Sequence, residues 1–240
     1  MFRGAFYWLS FVALSLMSEI ALSTDGGVLV FGGTGRLGAP IVRMLVESGA
    51  DVTVFARPSS DRQRLDDVDV DYVTGDLLVE DEVVAAFASR PFRAVVDASA
   101  RRGTPDLFYD KAMSHIVRGA IDNGVRQIIY HSSVGAGDNM MQFPRADFSG
   151  MRDVLLAKGR AEQILIDSGI GYTIIRNGLL QPDGTPPTDS ARLTDDQAIM
   201  SVVTRADLAI LTVQCMDQAD CMNRIYHAVD DSYDVPAAFR

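Results

Sequence analysis

The chain has 240 residues, 48% of them hydrophobic, and its 22 Lys and Arg against 32 Asp and Glu give a net charge of −10. That length and apolar fraction fit one α/β domain with a full core better than two small ones. The acidic balance, with no Lys/Arg run, argues against a nucleic-acid partner, which calls for a basic face, and no repeat or low-complexity tract divides the chain.

The first 23 residues read as a separate piece. Arg3 and the free amine precede an apolar stretch from Ala5 to Met17, Glu19 interrupts it, and Ala21-Leu22-Ser23 resembles a small-residue cleavage site. This is the layout of a secretory signal peptide. The apolar run is short for a membrane span, which needs about 20 residues, and an uncleaved N-terminal anchor is the alternative. The expectation is therefore export or membrane anchoring through residues 1–23, or a cytoplasmic protein if the leader is not functional. Residues 24–240 then form the folded domain.

From Gly27 onward, short apolar runs alternate with helical spacings. Strands are expected at Val28–Phe31, Val52–Phe55, Val70–Val73, Ala94–Ala98, Gln127–His131, Tyr172–Arg176 and Ile225–Val229. Helices are expected through Leu37–Leu45, Glu80–Phe87, Tyr109–Asn123 and Leu155–Ser168. A last helix opens at Thr204-Arg205-Ala206-Asp207, which has the form of a capping box. Regular alternation of this kind implies an α/β fold with a doubly wound parallel sheet. Two polar, Pro- and Gly-containing segments break the rhythm, Ala136–Gly150 and Gln181–Gln197. Both follow strands whose C-terminal ends face the ligand crevice of such a sheet, so both are expected to wall or cover a substrate pocket. Cys215 and Cys221 are either a disulfide or two small buried residues. His115, His131 and His227 form no metal-ligand array.

The segment VFGGTGRLG (Val30–Gly38) joins the first strand to the first helix. Gly32, Gly35 and Gly38 are spaced G-x-x-G-x-x-G, and Gly33, Gly35 and Gly38 also satisfy G-x-G-x-x-G. At that junction, glycines allow a tight turn, close approach of the backbone to a pyrophosphate and close helix packing, and the helix start offers N–H groups to the phosphates. Gly33, Thr34, Arg36 and Leu37 complete the loop. NAD-binding chains place a carboxylate at the tip of the second strand, about 20 residues on. Here that tip, nineteen residues after Gly38, carries Arg57. A guanidinium binds a 2′-phosphate where a carboxylate repels it, and Arg36 lies within the loop itself. The expected cofactor is NADP rather than NAD.

Taken in order, VFGGTGRLG, FARP, VTGDL, IIYHSSVGAG, AKGRAEQILIDSGIGYTIIRNG and TRADLA resemble the atypical short-chain dehydrogenase/reductase superfamily. Within it the chain is most similar to the NmrA-like and flavin/biliverdin-reductase-like NAD(P)H-binding proteins, and the similarity runs from about Val28 to Val229. The resemblance implies a single Rossmann domain and assigns further residues. Asp76 would accept from the adenine amino group with Leu77 beside it. Ala98, Ser99 and Ala100 would lie along the adenine and its ribose. Ser132 and Ser133 would end the fifth strand near the nicotinamide, and Lys158 would bind the nicotinamide ribose hydroxyls. Asn177 replaces a proline usual in these relatives. Catalytic members carry Y-x-x-x-K, but the position four before Lys158 is Val154, so the lysine is kept without its acid/base tyrosine. The expected activity is reduction of a small carbonyl, quinone or flavin-like acceptor, with Ser133 polarising the acceptor and Lys158 positioning the cofactor. The alternative is a non-catalytic NAD(P)H-binding sensor or assembly factor of the NmrA-like kind. A sugar-nucleotide epimerase is disfavoured by the short C-terminal part and the missing tyrosine.

Overall fold

The computed structural model describes residues 26–101 and 107–239. The leader expected at 1–23 lies outside the described residues. No helix among the described residues is long and apolar enough to cross a membrane.

Among the described residues there are ten strands and five α-helices, and the seven strands and five helices expected occur among them in the expected order. They are β1 (Gly27–Phe31), α1 (Gly38–Glu47), β2 (Val52–Ala56), β3 (Asp71–Thr74), α2 (Glu80–Ala88), β4 (Phe92–Asp97), α3 (Phe108–Asp122), β5 (Gln127–Ser133), α4 (Arg152–Asp167), β6 (Gly171–Asn177), β7 (Leu179–Leu180), β8 (Arg192–Thr194), β9 (Val202–Val203), α5 (Arg205–Cys215) and β10 (Arg224–Val229). Eight strands form one sheet in the order β3-β2-β1-β4-β5-β6-β10-β8. Seven run parallel, and β8 pairs antiparallel with β10. The chain order reverses between β1 and β4, which is where an open α/β sheet opens its ligand crevice. The expectation of a doubly wound, Rossmann-type single domain holds. The antiparallel edge strand was not expected, because three residues inside a polar segment carry too little pattern to mark a strand.

The strands are apolar on both sides, as parallel strands covered by helices require. Leu29, Phe31, Ile128 and Tyr130 pack with Phe87, Met113 and Leu165 beneath α2, α3 and α4. Val28, Val30 and Ile129 pack with Ile41, Val42 and Leu208 beneath α1 and α5. The pleat thus sends alternate residues of each strand to opposite helical layers.

Strand ends differ from expectation for identifiable reasons. β4 begins at buried Phe92 and stops at Asp97, whose carboxylate accepts from the Ser99 backbone N–H at 2.9 Å and turns the chain. β5 runs two residues further than expected because Ser132 and Ser133 pair with Arg176 and Asn177. α5 has the expected cap: Thr204 Oγ1 accepts from the Asp207 N–H at 2.9 Å. Cys215 and Cys221 are joined as a disulfide, with Cα atoms 5.4 Å apart.

Candidate functional site

The glycine loop is shaped by its neighbours. Gly32 has φ +72°, and a Cβ there would lie 2.7 Å from the Ala98 carbonyl and from Ser99 Cα. A side chain at Gly38 would run into the Gly32 carbonyl oxygen. Gly35 differs, since a Cβ on it would meet only its own loop, at Gly32 O, 3.0 Å away. So Gly32 and Gly38 are required by the fold, while Gly35 leaves its face open. α1 begins at Gly38 behind Leu37, which gives it no side-chain cap. In its first turn the Ala39 N–H donates to Gly35 O, the Ile41 N–H to Leu37 O, and Pro40 has none, so this start offers chiefly the positive end of the helix dipole. An open glycine face beside such a start, at the switch point, fits a bound pyrophosphate.

The other predicted residues line the same sheet edge. Ala98 N–H donates to Phe31 O at 3.0 Å, which holds Ala98 and Ser99 against Gly32 of the glycine loop, and Ala100 follows them as an exposed residue. Asp76 Oδ1 accepts from the Leu78 N–H, and the Asp76 N–H donates to Glu82 Oε2, so a local turn presents the second carboxylate oxygen. Leu77 is buried, and its carbonyl lies 2.8 Å from His115 Nδ1. Arg57 is exposed immediately past β2, and its guanidinium meets no carboxylate among the described residues. Arg36 instead lies 3.6 Å from Asp183, as an ion pair.

Lys158 lies deeper than the sequence suggested. It is buried, and Nζ donates to His131 O at 3.1 Å, with the Tyr109 ring centroid 5.5 Å away. Burial pushes its pKa down to about 8, against the opposing charges of Asp97 and Glu162. The chain has only one other lysine, Lys111, and an arginine in this place would stay charged at any accessible pH. Asp97 is buried as well, which raises its pKa, while Ser99 and Lys158 oppose the rise. Ser99 Oγ, Ser132 Oγ and Tyr130 OH are buried without a protein partner. Thr53 Oγ1, Asp110 Oδ1 and His227 Nε2 share this property, so it is the place of Ser99, Tyr130 and Ser132 at the crevice edge that makes a ligand their fitting partner.

The two serines of β5 separate. His131 packs toward α5, with Nε2 2.9 Å from Thr212 Oγ1 and Nδ1 3.3 Å from Asn177 Oδ1. By the pleat, Ser133 shares that side with His131, whereas Ser132 shares the side of Tyr130, beneath α4. Ser132 is therefore the serine on the side of Lys158, and Ser133 lies on the opposite face of β5. Asn177 is nine-tenths buried and spends its side chain on His131. Val154, in the place of the missing tyrosine, is half-buried against the core.

The two long segments take different places at the sheet edge. Gln142–Ala146 joins Ala198–Met200, Val235 and Phe239 around a cleft of about 620 Å³. Phe143 stacks on His227 at 6.2 Å between centroids. Asn139 accepts from the Gly135 N–H and donates to Gln197 O, tying this loop to the second segment. The cleft is walled by 142–146 and 198–200, while residues 181–197 form β8 and an arc that reaches the glycine loop through Asp183. Another cleft, of about 580 Å³ around Asp51 and Arg90, opens at the far end of β1, away from the crevice.

The family described as NAD(P)H-binding matches residues 32–219. Sanguinarine reductase from Eschscholzia californica is 28% identical over 145 residues, covering 55% of this chain and 52% of that protein. The photosystem II assembly factor Ycf39 of Cyanophora paradoxa is 24% identical, covering 84% of this chain and 63% of that protein. The chain thus spans between half and two-thirds of the length of these relatives. Among solved structures, the anaerobilin reductase ChuY of Escherichia coli O157:H7 superposes with a TM-score of 0.76 at 22% identity, over 88% of this chain and all of that one. A short-chain dehydrogenase/reductase of Veillonella parvula in complex with NADP gives 0.69 at 17% identity, over 88% and 99%. Likeness at those identities is one of fold.

Proposed function

The chain belongs to the NAD(P)H-binding family, and from that premise we propose that it is an NADPH-dependent reductase of flat, conjugated acceptors such as quinones and flavins. The observation that carries this reading is the open face of Gly35 beside the uncapped start of α1 at the switch point, with buried Lys158 at the same sheet edge. In this reading the glycine loop holds the pyrophosphate, and Arg57 and Arg36 take the 2′-phosphate. The free oxygen of Asp76 accepts from the adenine amino group, and Ala98–Ala100 line the adenosine. Lys158 holds the nicotinamide ribose, and Ser99 and Ser132 offer their unpartnered hydroxyls to the ligand.

When bound, a reduced nicotinamide supplies the hydride. The chain binds, orients and shields. Val154 holds no proton to donate, so the acceptor must take its proton from solvent or need little acid assistance. A positioned acid contributes about 10²–10⁴-fold, and its loss favours quinones and flavins over simple ketones. The apolar cleft around Phe143, Met200 and Phe239 suits a flat ring system. The names of sanguinarine reductase and anaerobilin reductase support an extended conjugated substrate.

The test is to incubate the full chain with NADPH and a panel of quinones, flavins, aldehydes and ketones, following the absorbance of the reduced nicotinamide. Turnover confined to quinones and flavins supports the reading, and ketones turned over as fast as quinones refute it. A second reading, a dinucleotide-binding assembly factor or sensor, draws on Val154 and on the likeness to Ycf39. It predicts NADPH binding with no turnover of any acceptor.

A further inference from the structure

The arc from Gln181 to Thr188 is pinned at both ends near the start of α5. The Gln181 N–H donates to Val203 O at 3.0 Å, and its carbonyl accepts from Arg205 Nη1 at 2.8 Å. The Thr188 N–H donates to the Asp207 carboxylate at 3.1 and 3.2 Å, and Thr188 Oγ1 donates to Asp230 at 2.6 Å. Between these pins, Pro182, Pro186 and Pro187 limit the backbone, and Thr185 N–H closes a turn on Pro182 O. The arc projects Asp183 toward the glycine loop.

Asp183 Oδ2 stands 3.6 Å from Arg36 Nε and 3.5 Å from Arg64 Nη2. Arg205, at the start of α5, also feels its charge. Two guanidiniums from separate elements thus share one carboxylate, which neutralises only one of them. Arg36 belongs to the glycine loop. Arg64 sits in the turn after β2, seven residues beyond Arg57, and its carbonyl accepts from Arg43 of α1 at 2.6 Å. This is the side of the glycine loop next to the tip of β2, where a dinucleotide places the 2′ substituent of its adenosine ribose. Both separations exceed hydrogen-bond length, and the partners are partly exposed. Such pairs are weak and are readily exchanged for a better anion. A phosphate monoester, with its near-dianionic charge and three acceptor oxygens, is that anion.

We infer that Asp183 is a built-in competitor for the 2′-phosphate site: its carboxylate stands between Arg36 and Arg64 in place of the phosphate, and NADPH must displace it. The inference rests on the reading above that the adenosine end binds beside Arg36 and Arg57. It adds Arg64 to that site and makes Asp183 a residue that sets the preference between the two dinucleotides. With NADPH the strap releases Arg36 and Arg64 to the phosphate. With NADH the ion pairs remain, and nothing is gained by breaking them.

The experiment uses the full chain and two probes that differ only at the ribose 2′ position, adenosine 2′,5′-bisphosphate and adenosine 5′-monophosphate (AMP), titrated by calorimetry. Replacing Asp183 by Asn keeps its size and removes its charge. Two exposed ion pairs are lost as competitors, so Asp183→Asn should bind the bisphosphate about three- to tenfold more tightly, with AMP changed less than about twofold. Arg64→Ala should weaken the bisphosphate alone. An Asp183→Asn protein that binds the bisphosphate no better than the wild type, or that tightens both probes equally, overturns the inference. The phosphate site on which it rests is tested apart by Arg57→Ala. If that variant and the wild type bind both probes equally well, the site itself is wrong. If the wild type prefers the bisphosphate and Asp183→Asn is neutral, only the strap is wrong.

Discussion

Two glycines of one motif should fail in opposite ways when each is replaced by alanine. At Gly38 the added methyl would fall within the van der Waals radius of the Gly32 carbonyl oxygen, a backbone atom that cannot turn aside. Overpacking of this kind costs about 1–3 kcal/mol and sometimes more. For a domain of this size each kcal/mol lowers the melting temperature by about 2–4 °C, so Gly38→Ala should melt roughly 2–12 °C lower. At Gly35 the methyl meets only Gly32 O at 3.0 Å, and the residue does not take a positive φ. A shift of a few tenths of an ångström relieves that contact, so stability should change by less than about 1 kcal/mol. Yet the methyl stands where the pyrophosphate would approach. Losing one charge-assisted hydrogen bond, contributing about 1.5–3 kcal/mol, should weaken NADPH about ten- to a hundredfold or somewhat more. Thermal melts of the free protein and calorimetric titration with NADPH separate the two effects. The reasoning fails if Gly35→Ala is destabilised as much as Gly38→Ala, or if it binds NADPH with wild-type affinity.

Other perturbations bear on the same account. Arg57→Ala should weaken NADPH about ten- to a hundredfold and NADH hardly at all, since one charge-assisted pair to the 2′-phosphate is removed; equal losses in parallel titrations would make Arg57 a structural residue. Burial lowers the His131 pKa from 6.5 to about 4, so the fold holds the neutral ring. That contribution is complete above pH 6.5 and is lost as pH falls through about 4, about 3 kcal/mol in all. Urea unfolding should show a shallower acid slope for His131→Gln than for wild type, and identical slopes would discard the assignment. The Cys215–Cys221 disulfide closes a short loop, and reducing it should cost about 2 kcal/mol and lower the melting temperature by about 4–8 °C; an unchanged melt in reductant would contradict this. The leader should be removed after Ser23, so Edman sequencing from the native host should begin near Thr24; a soluble protein that keeps Met1 would contradict processing.

Local chemistry was legible in the sequence, and spatial convergence was not. The glycine spacing, the apolar runs of the strands and the Thr204–Asp207 cap depend on residues close in the chain, and the structure forms them where the pattern put them. The serines of β5 show the limit. Ser132 and Ser133 are adjacent and chemically alike, and only the pleat, fixed by His131 reaching Thr212 and Asn177, decides which lies on the side of Lys158. Asp97, Tyr109 and Tyr130 were missed because nothing local distinguishes a polar residue at a buried strand end from one on a surface. A period-2 count carried through to the last residues of β4 and β5 would have placed Tyr130 and Ser132 on one face. Asp183 left no signal at all. Its partners, Arg36 and Arg64, are more than a hundred residues away, and only the pins at Gln181 and Thr188 bring it to them.

The central claim is that this site carries out reduction and does not merely hold the dinucleotide. Its most direct test is turnover of a quinone with NADPH deuterated on one face of the nicotinamide C4, then on the other, with mass spectrometry of the NADP⁺ formed. A reductase predicts complete retention of deuterium from one face and complete loss from the other, at a rate well above buffer. No NADP⁺ above the buffer rate, while calorimetry still shows NADPH bound, would contradict the claim and leave a binding protein in its place.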